Sequence, residues 1–198
     1  MAKLIGPDKI NTAVFISGTG SNLLNLIKFS KSKKSKITIK FVISNNLNAK
    51  GLRYAKIYNI EKKVLNFKNQ RFCERKILSY LKRKNVKLIC LAGFLKILSK
   101  NFINNFQGKI LNIHPSLLPK YKGLNTHKRV LQNKEKFSGC TVHLVNSKLD
   151  SGKIILQKKV KVFKNDSEKN LSKRILIQEH KLYPKAIIKL FPNPQKKS

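Results

Sequence analysis

Residues 12–30, TAVFISGTGSNLLNLIKFS, decide the fold class. Thr12 to Ile16 form a short apolar, β-prone run, and the glycine-rich SGTGSN at 17–22 breaks it. LLNLIKFS then repeats apolar side chains at helical spacing, so the stretch reads as strand, glycine turn, helix. The same alternation continues outward. ITIKFVIS at 37–44 is a second strand, and NAKGLRYAKIYNI at 48–60 is a helix with an internal Gly51. KKVLNF at 62–67 is a short strand before a helix over about 70–84. VKLICLAGF at 86–94 is a continuous apolar run, the pattern of a strand covered on both faces. A helix near 96–106 and a strand, KILNI at 109–113, follow.

Beyond Ile113 the pattern changes. HPSLLPKYKG at 114–123 contains two prolines and a glycine, and so demands a loop of fixed shape. A helix near 126–133 is followed by TVHLV at 141–145 and IILQKKVKVF at 154–163, two strands flanking NSKLDSGK. Asn165, Asp166 and Ser167 are N-cap candidates for a last helix to about residue 190, which Pro184 is expected to kink. Repeated strand–helix units predict an α/β fold: a doubly wound, Rossmann-like, mostly parallel sheet with an antiparallel C-terminal part. One domain over 1–198 is expected. It divides into a strand–helix half at about 12–113, a region of loops, antiparallel strands and the last helix at about 114–190 and a frayed tail at 191–198.

The chain has 198 residues, with 44 Lys+Arg against 8 Asp+Glu, a formal net charge of +36. Hydrophobic residues at 41% supply a core, which excludes wholesale disorder. No apolar stretch reaches the roughly 20 residues of a membrane span, and the N-terminus does not read as a signal peptide. Cys73, Cys90 and Cys140 lack CxxC spacing, which fits buried thiols of a cytoplasmic protein and no zinc or other metal site. The charge invites nucleic acid. Only Arg53, Arg71, Arg75, Arg83, Arg129 and Arg174 are arginines, however, and the lysines are spread along the chain, so most of the excess is compositional background. Neither a specific nucleic-acid partner nor a membrane partner is expected.

Eight carboxyl groups remain: Asp8, Glu61, Glu74, Glu135, Asp150, Asp166, Glu168 and Glu179. Asp8, Glu61, Glu74 and Glu135 lie outside every motif and read as solvated, and Asp166 and Glu168 read as first-turn helix charges. In SGTGSN, Gly18 and Gly20 let the backbone approach a ligand, and Ser21 and Asn22 can cap the helix, giving a phosphate site or simply a structural turn. Asn112 and His114, two apart at a strand end, point to one side. An amide and an imidazole there can bind a carbonyl oxygen and move a proton, although a structural histidine at a strand end also fits. His127 reads as a helix-start residue, His143 as facing the site at most, and His180 as surface or packing.

SGTGSN, LAGFLKIL at 91–98, LNIHPSLLPKYKG at 111–123 and TVHLV…LDSGKIILQ at 141–157 occur in one order, through QEHKLYP at 178–184. In these segments the chain resembles the folate-dependent glycinamide ribonucleotide formyltransferases over nearly its whole length. The resemblance implies a catalytic trio of Asn112, His114 and Asp150, with Asp150 orienting His114 and holding its pKa up. It implies that Gly20, Ser21 and Asn22 hold the ribose phosphate and that Glu179 meets the glycinamide amine. Arg71, Leu95, Lys96, Ile97, Leu98, Asn112 and Asn146 would serve the folate, with 10-formyltetrahydrofolate as co-substrate and no metal. A monomer or weak homodimer is expected. Leu144, Ser147 and Ser151 depart from the family pattern beside Asp150, which bears on loop shape.

Three rival readings are weaker. Methionyl-tRNA formyltransferases share an Asn-x-His loop with SLLP but carry a different sequence after it and an added C-terminal domain. The 10-formyltetrahydrofolate deformylases usually add an N-terminal regulatory domain. A non-enzymatic RNA-binding protein predicts an Arg- and aromatic-rich face that this sequence does not display.

Overall fold

The computed structural model describes residues 9–192. Its elements run β1 (Ile10–Ile16), α1 (Ser21–Ser30), β2 (Ile37–Ser44), α2 (Leu52–Ile57), β3 (Glu61–Val64), α3 (Gln70–Arg83) and β4 (Leu88–Leu91). They continue with α4 (Lys100–Asn105), β5 (Lys109–His114), α5 (Thr126–Gln132), β6 (Phe137–Leu144), β7 (Ile154–Lys161) and α6 (Glu168–Leu190). Asp8, the first residues of the chain and the tail beyond 192 lie outside the described residues.

One seven-stranded sheet has the order β3-β2-β1-β4-β5-β6-β7. The first five strands in that order are parallel, and β6 and β7 are added antiparallel. The expected doubly wound sheet with an antiparallel C-terminal part is therefore present. Strand order reverses between β1 and β4, and such a switch point opens a crevice beyond the carboxyl ends of the strands.

The twofold periodicity of a strand explains the two core layers. In β1, Val14 and Ile16 pack with Leu23, Leu26 and Ile27 of α1 and with Leu171, Ile175 and Tyr183 of α6. Ala13 and Phe15 point the other way, onto Cys73, Ile77 and Leu81 of α3 and Phe102 of α4. In β4, Leu88 and Cys90 join the first layer and Ile89 and Leu91 the second, which is why this segment reads as a continuous apolar run. Each fully buried side chain of this size contributes about 1.5–3 kcal/mol. All three cysteines are free and buried.

Several sequence expectations need correction. The helix expected near 96–106 begins only at Lys100, capped by Ser99, whose Oγ accepts from Phe102 N at 3.0 Å. Residues 95–98 are non-helical because Gly93 turns the chain at φ 74° and Ser17 and Glu74 hold the segment from either end. β4 accordingly stops at Leu91. Pro184 lies inside α6, which continues past it as one 23-residue helix. A helix-interior proline leaves the carbonyl four residues earlier without its donor. Here that carbonyl belongs to His180, and Asn25 Nδ2 of α1 donates to it at 2.7 Å. Ser167 caps α6, whereas Asp166 binds both terminal nitrogens of Arg174 at 2.7 and 2.8 Å and does not serve as a first-turn charge.

Candidate active site

The end of β5 supplies Asn112 and His114, and its antiparallel pairing with β6 sets Asn112 opposite His143 and His114 opposite Thr141. Residues directly opposite in an antiparallel pair share a face, so both histidines and the amide converge. Asp150, from the loop between β6 and β7, completes the group. Asn112 Nδ2 lies 3.2 Å from His143 Nε2 and donates to Asp150 Oδ1 at 3.4 Å. His114 Nδ1 lies 3.4 Å from Asp150 Oδ2, and His143 Nε2 lies 3.6 Å from Asp150 Oδ1. His143 Nδ1 faces the Leu144 carbonyl at 2.9 Å, which holds the ring with Nε2 toward Asn112 and Asp150. His143 is thus a site residue; sequence alternation placed it on the right face but could not supply its partner, which only the β5–β6 register provides.

The loop after His114 is pinned from below. Thr141 Oγ1 donates to Ser116 O at 2.6 Å and accepts from Leu118 N at 3.1 Å. Gln157 Nε2 donates to Leu118 O at 2.7 Å. The held loop presents the Tyr121 carbonyl to His114 Nε2 at 2.8 Å and the Gly123 N–H to Asp150 Oδ2 at 2.8 Å. Tyr121 and Asp150 adopt left-handed backbones, φ 57° and 44°. A non-glycine residue in that region costs on the order of 1–3 kcal/mol, which the surrounding bonds must offset.

Charge and burial compete at this site. Burial is the largest influence on His114 and drives its pKa below the ordinary value; the Tyr121 carbonyl and Asp150 push it up without prevailing. Asp150 thus acts on the His114 pKa in the expected upward direction, against the larger effect of burial. Burial also pushes Asp150 up, but hydrogen bonds from His143 and the Gly123 N–H and the positive character of the two histidines overcome it, leaving the carboxyl below its usual range.

The turn before α1 follows β1, whose carboxyl end lies at the same sheet edge as that of β5. Gly20 at φ 75° is the N-cap, with no side-chain cap, so Ser21 and Asn22 are first-turn residues rather than the caps expected. Leu24 N closes the first helical bond onto Gly20 O at 2.9 Å, leaving the earlier N–H groups of the helix end to face outward. A Cβ on Gly20 would lie 2.5 Å from Gly51 Cα, and one on Gly51 2.8 Å from Gly20 Cα. Gly51 is consequently a packing partner of this turn at the start of α2, not an internal helix residue. Glu179 of α6 is 7% exposed and accepts from Asn22 Nδ2 at 2.7 Å. Burial pushes its carboxyl pKa up, with the Asn22 bond acting in the opposite direction. Asn22 Oδ1 has no partner.

Segment 95–98 follows the carboxyl end of β4, the strand between β1 and β5. Leu95 and Ile97 are each 65% exposed, and the Leu98 side chain is buried in the second core layer. A cavity of about 410 Å³ opens beside Leu95 and Lys96, bounded by Ser17, Asn46, Phe67 and Lys68. Arg71 is exposed in the first turn of α3, next to Gln70, whose Nε2 donates to Ile97 O at 2.8 Å. Asn146 is exposed at the start of the Asp150 loop, where its Oδ1 accepts from Lys148 N at 3.0 Å.

His127 lies at the start of α5 and His180 within α6; burial lowers both pKa values, and His127 Nδ1 and His180 Nε2 have no partner. Glu74, read as solvated, is buried and accepts three hydrogen bonds. Glu61 and Glu135 form ion pairs with Lys84 and Lys120 at 2.8 and 2.9 Å. Ser17, which no motif reading singled out, accepts from Leu95 N at 2.7 Å and links the glycine turn to segment 95–98.

The formyl transferase family model matches residues 10–187. The phosphoribosylglycinamide formyltransferase of Escherichia coli strain K12 is 41% identical over 181 residues, covering 90% of this chain and 85% of that protein. Its Haemophilus influenzae counterpart is 45% identical over 182 residues, with the same coverage. The trifunctional purine biosynthetic protein adenosine-3 of Bos taurus is 42% identical over 186 residues, but this chain spans only 18% of its length. Among solved structures, phosphoribosylglycinamide formyltransferase from Anaplasma phagocytophilum superposes with a TM-score of 0.85 at 41% identity, over 91% of this chain and 85% of that one. Glycinamide ribonucleotide transformylase 1 from Symbiobacterium toebii gives 0.89 at 33% identity, over 94% and 90%. Sequence and fold agree that the chain belongs to the formyl transferase family and, within it, to the phosphoribosylglycinamide formyltransferases.

Proposed function

We propose that this chain transfers the formyl group of 10-formyltetrahydrofolate to the amine of phosphoribosylglycinamide, a step of purine biosynthesis. The observation that carries this reading is that one sheet edge, the carboxyl ends of the parallel strands β1, β4 and β5, holds both the Asn112–His114–Asp150 group and the uncapped turn before α1, where Asn22 donates to the buried Glu179 carboxyl.

The folate co-substrate supplies the formyl carbon. Exposed Leu95 and Ile97, the neighbouring cavity and the Asp150 loop suit a flat, partly apolar ligand carrying anionic carboxylates. At the other end, outward N–H groups and the helix dipole of α1 suit a phosphate. Glu179, disfavoured as a buried anion, gains from a donor such as the glycinamide amine beside it.

As the amine nitrogen adds to the formyl carbon, negative charge grows on the formyl oxygen. Asn112 Nδ2 donates a hydrogen bond to that oxygen, and the His114 ring offers Nδ1, whose 3.4 Å separation from Asp150 leaves room for a closer acceptor. In the resting protein burial favours the neutral ring. Growing negative charge near the ring favours the imidazolium, in the same sense as Asp150, so protonation follows the chemistry. Asp150 fixes the ring, and a water beside it takes the proton that leaves the amine and passes it to His114. Once the amine has added, the bond from the formyl carbon to the folate nitrogen breaks, the oxygen's charge returns to the carbonyl, and His114 hands the departing nitrogen the proton that came from the amine.

Acceptor choice tests this reading. With 10-formyltetrahydrofolate present, the chain should formylate phosphoribosylglycinamide and leave charged initiator tRNA unmodified. Formylation of the tRNA alone would overturn the proposal.

A further inference from the structure

Cations outnumber carboxyl groups 44 to 8 in this chain, yet the Glu74 carboxyl, 4% exposed, is in none of the ion pairs among the described residues. Its partners are neutral and all serve one segment. Glu74 Oε1 accepts from Ser99 N at 2.8 Å and from Gln70 Nε2 at 2.9 Å, and Oε2 accepts from Ser99 Oγ at 2.5 Å. Gln70 Nε2 also donates to the Ile97 carbonyl at 2.8 Å. Ser99 Oγ in turn accepts from Phe102 N at 3.0 Å and starts α4. At the opposite end, Leu95 N donates to Ser17 Oγ at 2.7 Å and Ser17 N to the Gly93 carbonyl at 3.0 Å. Residues 95–98 are therefore held at both ends by buried polar groups, while the side chains of Leu95 and Ile97 stand 65% exposed. Apolar side chains left in solvent on a backbone fixed this firmly form a prepared binding surface.

We propose that Glu74 is a positioning residue for the folate: it sets the backbone of segment 95–98 and thereby the apolar wall that receives the co-substrate, without touching the reacting atoms. The assignment rests on the formyl-transfer reading. It places a specificity-determining group on α3, outside the crevice, and gives one of the scarce carboxyl groups a role unconnected with charge pairing. A bidentate acceptor is required there because Ser99 offers an N–H and an O–H side by side, and a carboxyl can take both while still accepting from Gln70.

The test compares wild type, Glu74→Gln and Ser99→Ala by steady-state kinetics with each substrate varied, alongside thermal unfolding. Glu74→Gln keeps the volume but turns an acceptor into an NH₂ donor facing donors. It should raise KM for 10-formyltetrahydrofolate roughly tenfold, with KM for phosphoribosylglycinamide and kcat moving about twofold or less. Ser99→Ala should shift the same constant in the same direction by less, and it carries the test if Glu74→Gln does not fold. An unchanged folate KM in folded variants, whatever happens to the melting temperature, overturns the assignment, as does an equal rise in both KM values. Absence of wild-type turnover with folded protein would instead remove the formyl-transfer reading on which the assignment depends.

Discussion

His114 meets an acceptor at each ring nitrogen, the Tyr121 carbonyl at 2.8 Å and Asp150 at 3.4 Å, inside a crevice whose burial lowers its pKa. That balance makes it the residue most sensitive to substitution. His114→Ala should reduce kcat by about 10²-fold or more, because both the donor and the proton are lost, and steady-state turnover would show it. Asp150→Asn removes the negative charge that opposes burial, so an NMR titration should find the His114 pKa lowered further; an unchanged titration contradicts the pairing. Asn112 and His114 were legible because a strand sends residues two apart to one side. His143 acquires its role only from pairing with Asn112, 31 positions earlier in the chain. Glu74 read as solvated for the same reason: its donor Ser99 lies 25 positions further along the chain.

At the scale of elements, the glycine turn and the last helix carry the arrangement. Gly20 and Gly51 touch backbone to backbone, and a methyl on Gly51 would also meet Ile16 Cδ1 at 2.8 Å. Gly51→Ala should therefore destabilise by about 1–3 kcal/mol and raise KM for the ribonucleotide, as denaturant unfolding and kinetics would measure. α6 is tied to the sheet by Tyr183, whose hydroxyl lies 3.1 Å from Leu91 O and 3.0 Å from Leu111 O. It is tied to α1 by Asn25, which satisfies the carbonyl freed by Pro184. Asn25→Ala should cost about 1–3 kcal/mol by leaving that carbonyl unpaired. Strands and long helices were readable from periodicity, since burial follows side-chain direction. The non-helical 95–98 segment was not, because distant Ser17 and Glu74 override its local helical spacing.

For the molecule as a whole, a net charge of +36 implies self-repulsion, which salt screens. As the Debye length falls from about 10 Å at 0.1 M salt to about 3 Å at 1 M, the melting temperature should rise, and calorimetry at several salt concentrations checks this. Protons act in the opposite way through the histidines. His114, His127 and His180 have pKa values lowered by burial. Below about pH 6.5 the unfolded chain takes up protons that the folded chain refuses, so stability should fall as the pH drops from about 7 to 5. His180→Gln should flatten that slope; an unaltered slope would show that His180 does not contribute. The doubly wound order and the antiparallel end were both legible from strand–helix alternation and its interruption after His114. The charge, prominent in the sequence, sets solubility and screening while the fold and crevice set the chemistry.

The most direct measurement is formyl transfer itself. The chain is mixed with synthetic phosphoribosylglycinamide and 10-formyltetrahydrofolate labelled in the formyl carbon, with chelator present and nucleoside triphosphate omitted. Label should pass to the glycinamide amine on the wild-type chain and fall by about 10²-fold or more in His114→Ala. Folded wild-type protein that leaves the label on the folate, or a His114→Ala variant that transfers it at the wild-type rate, would contradict the assignment.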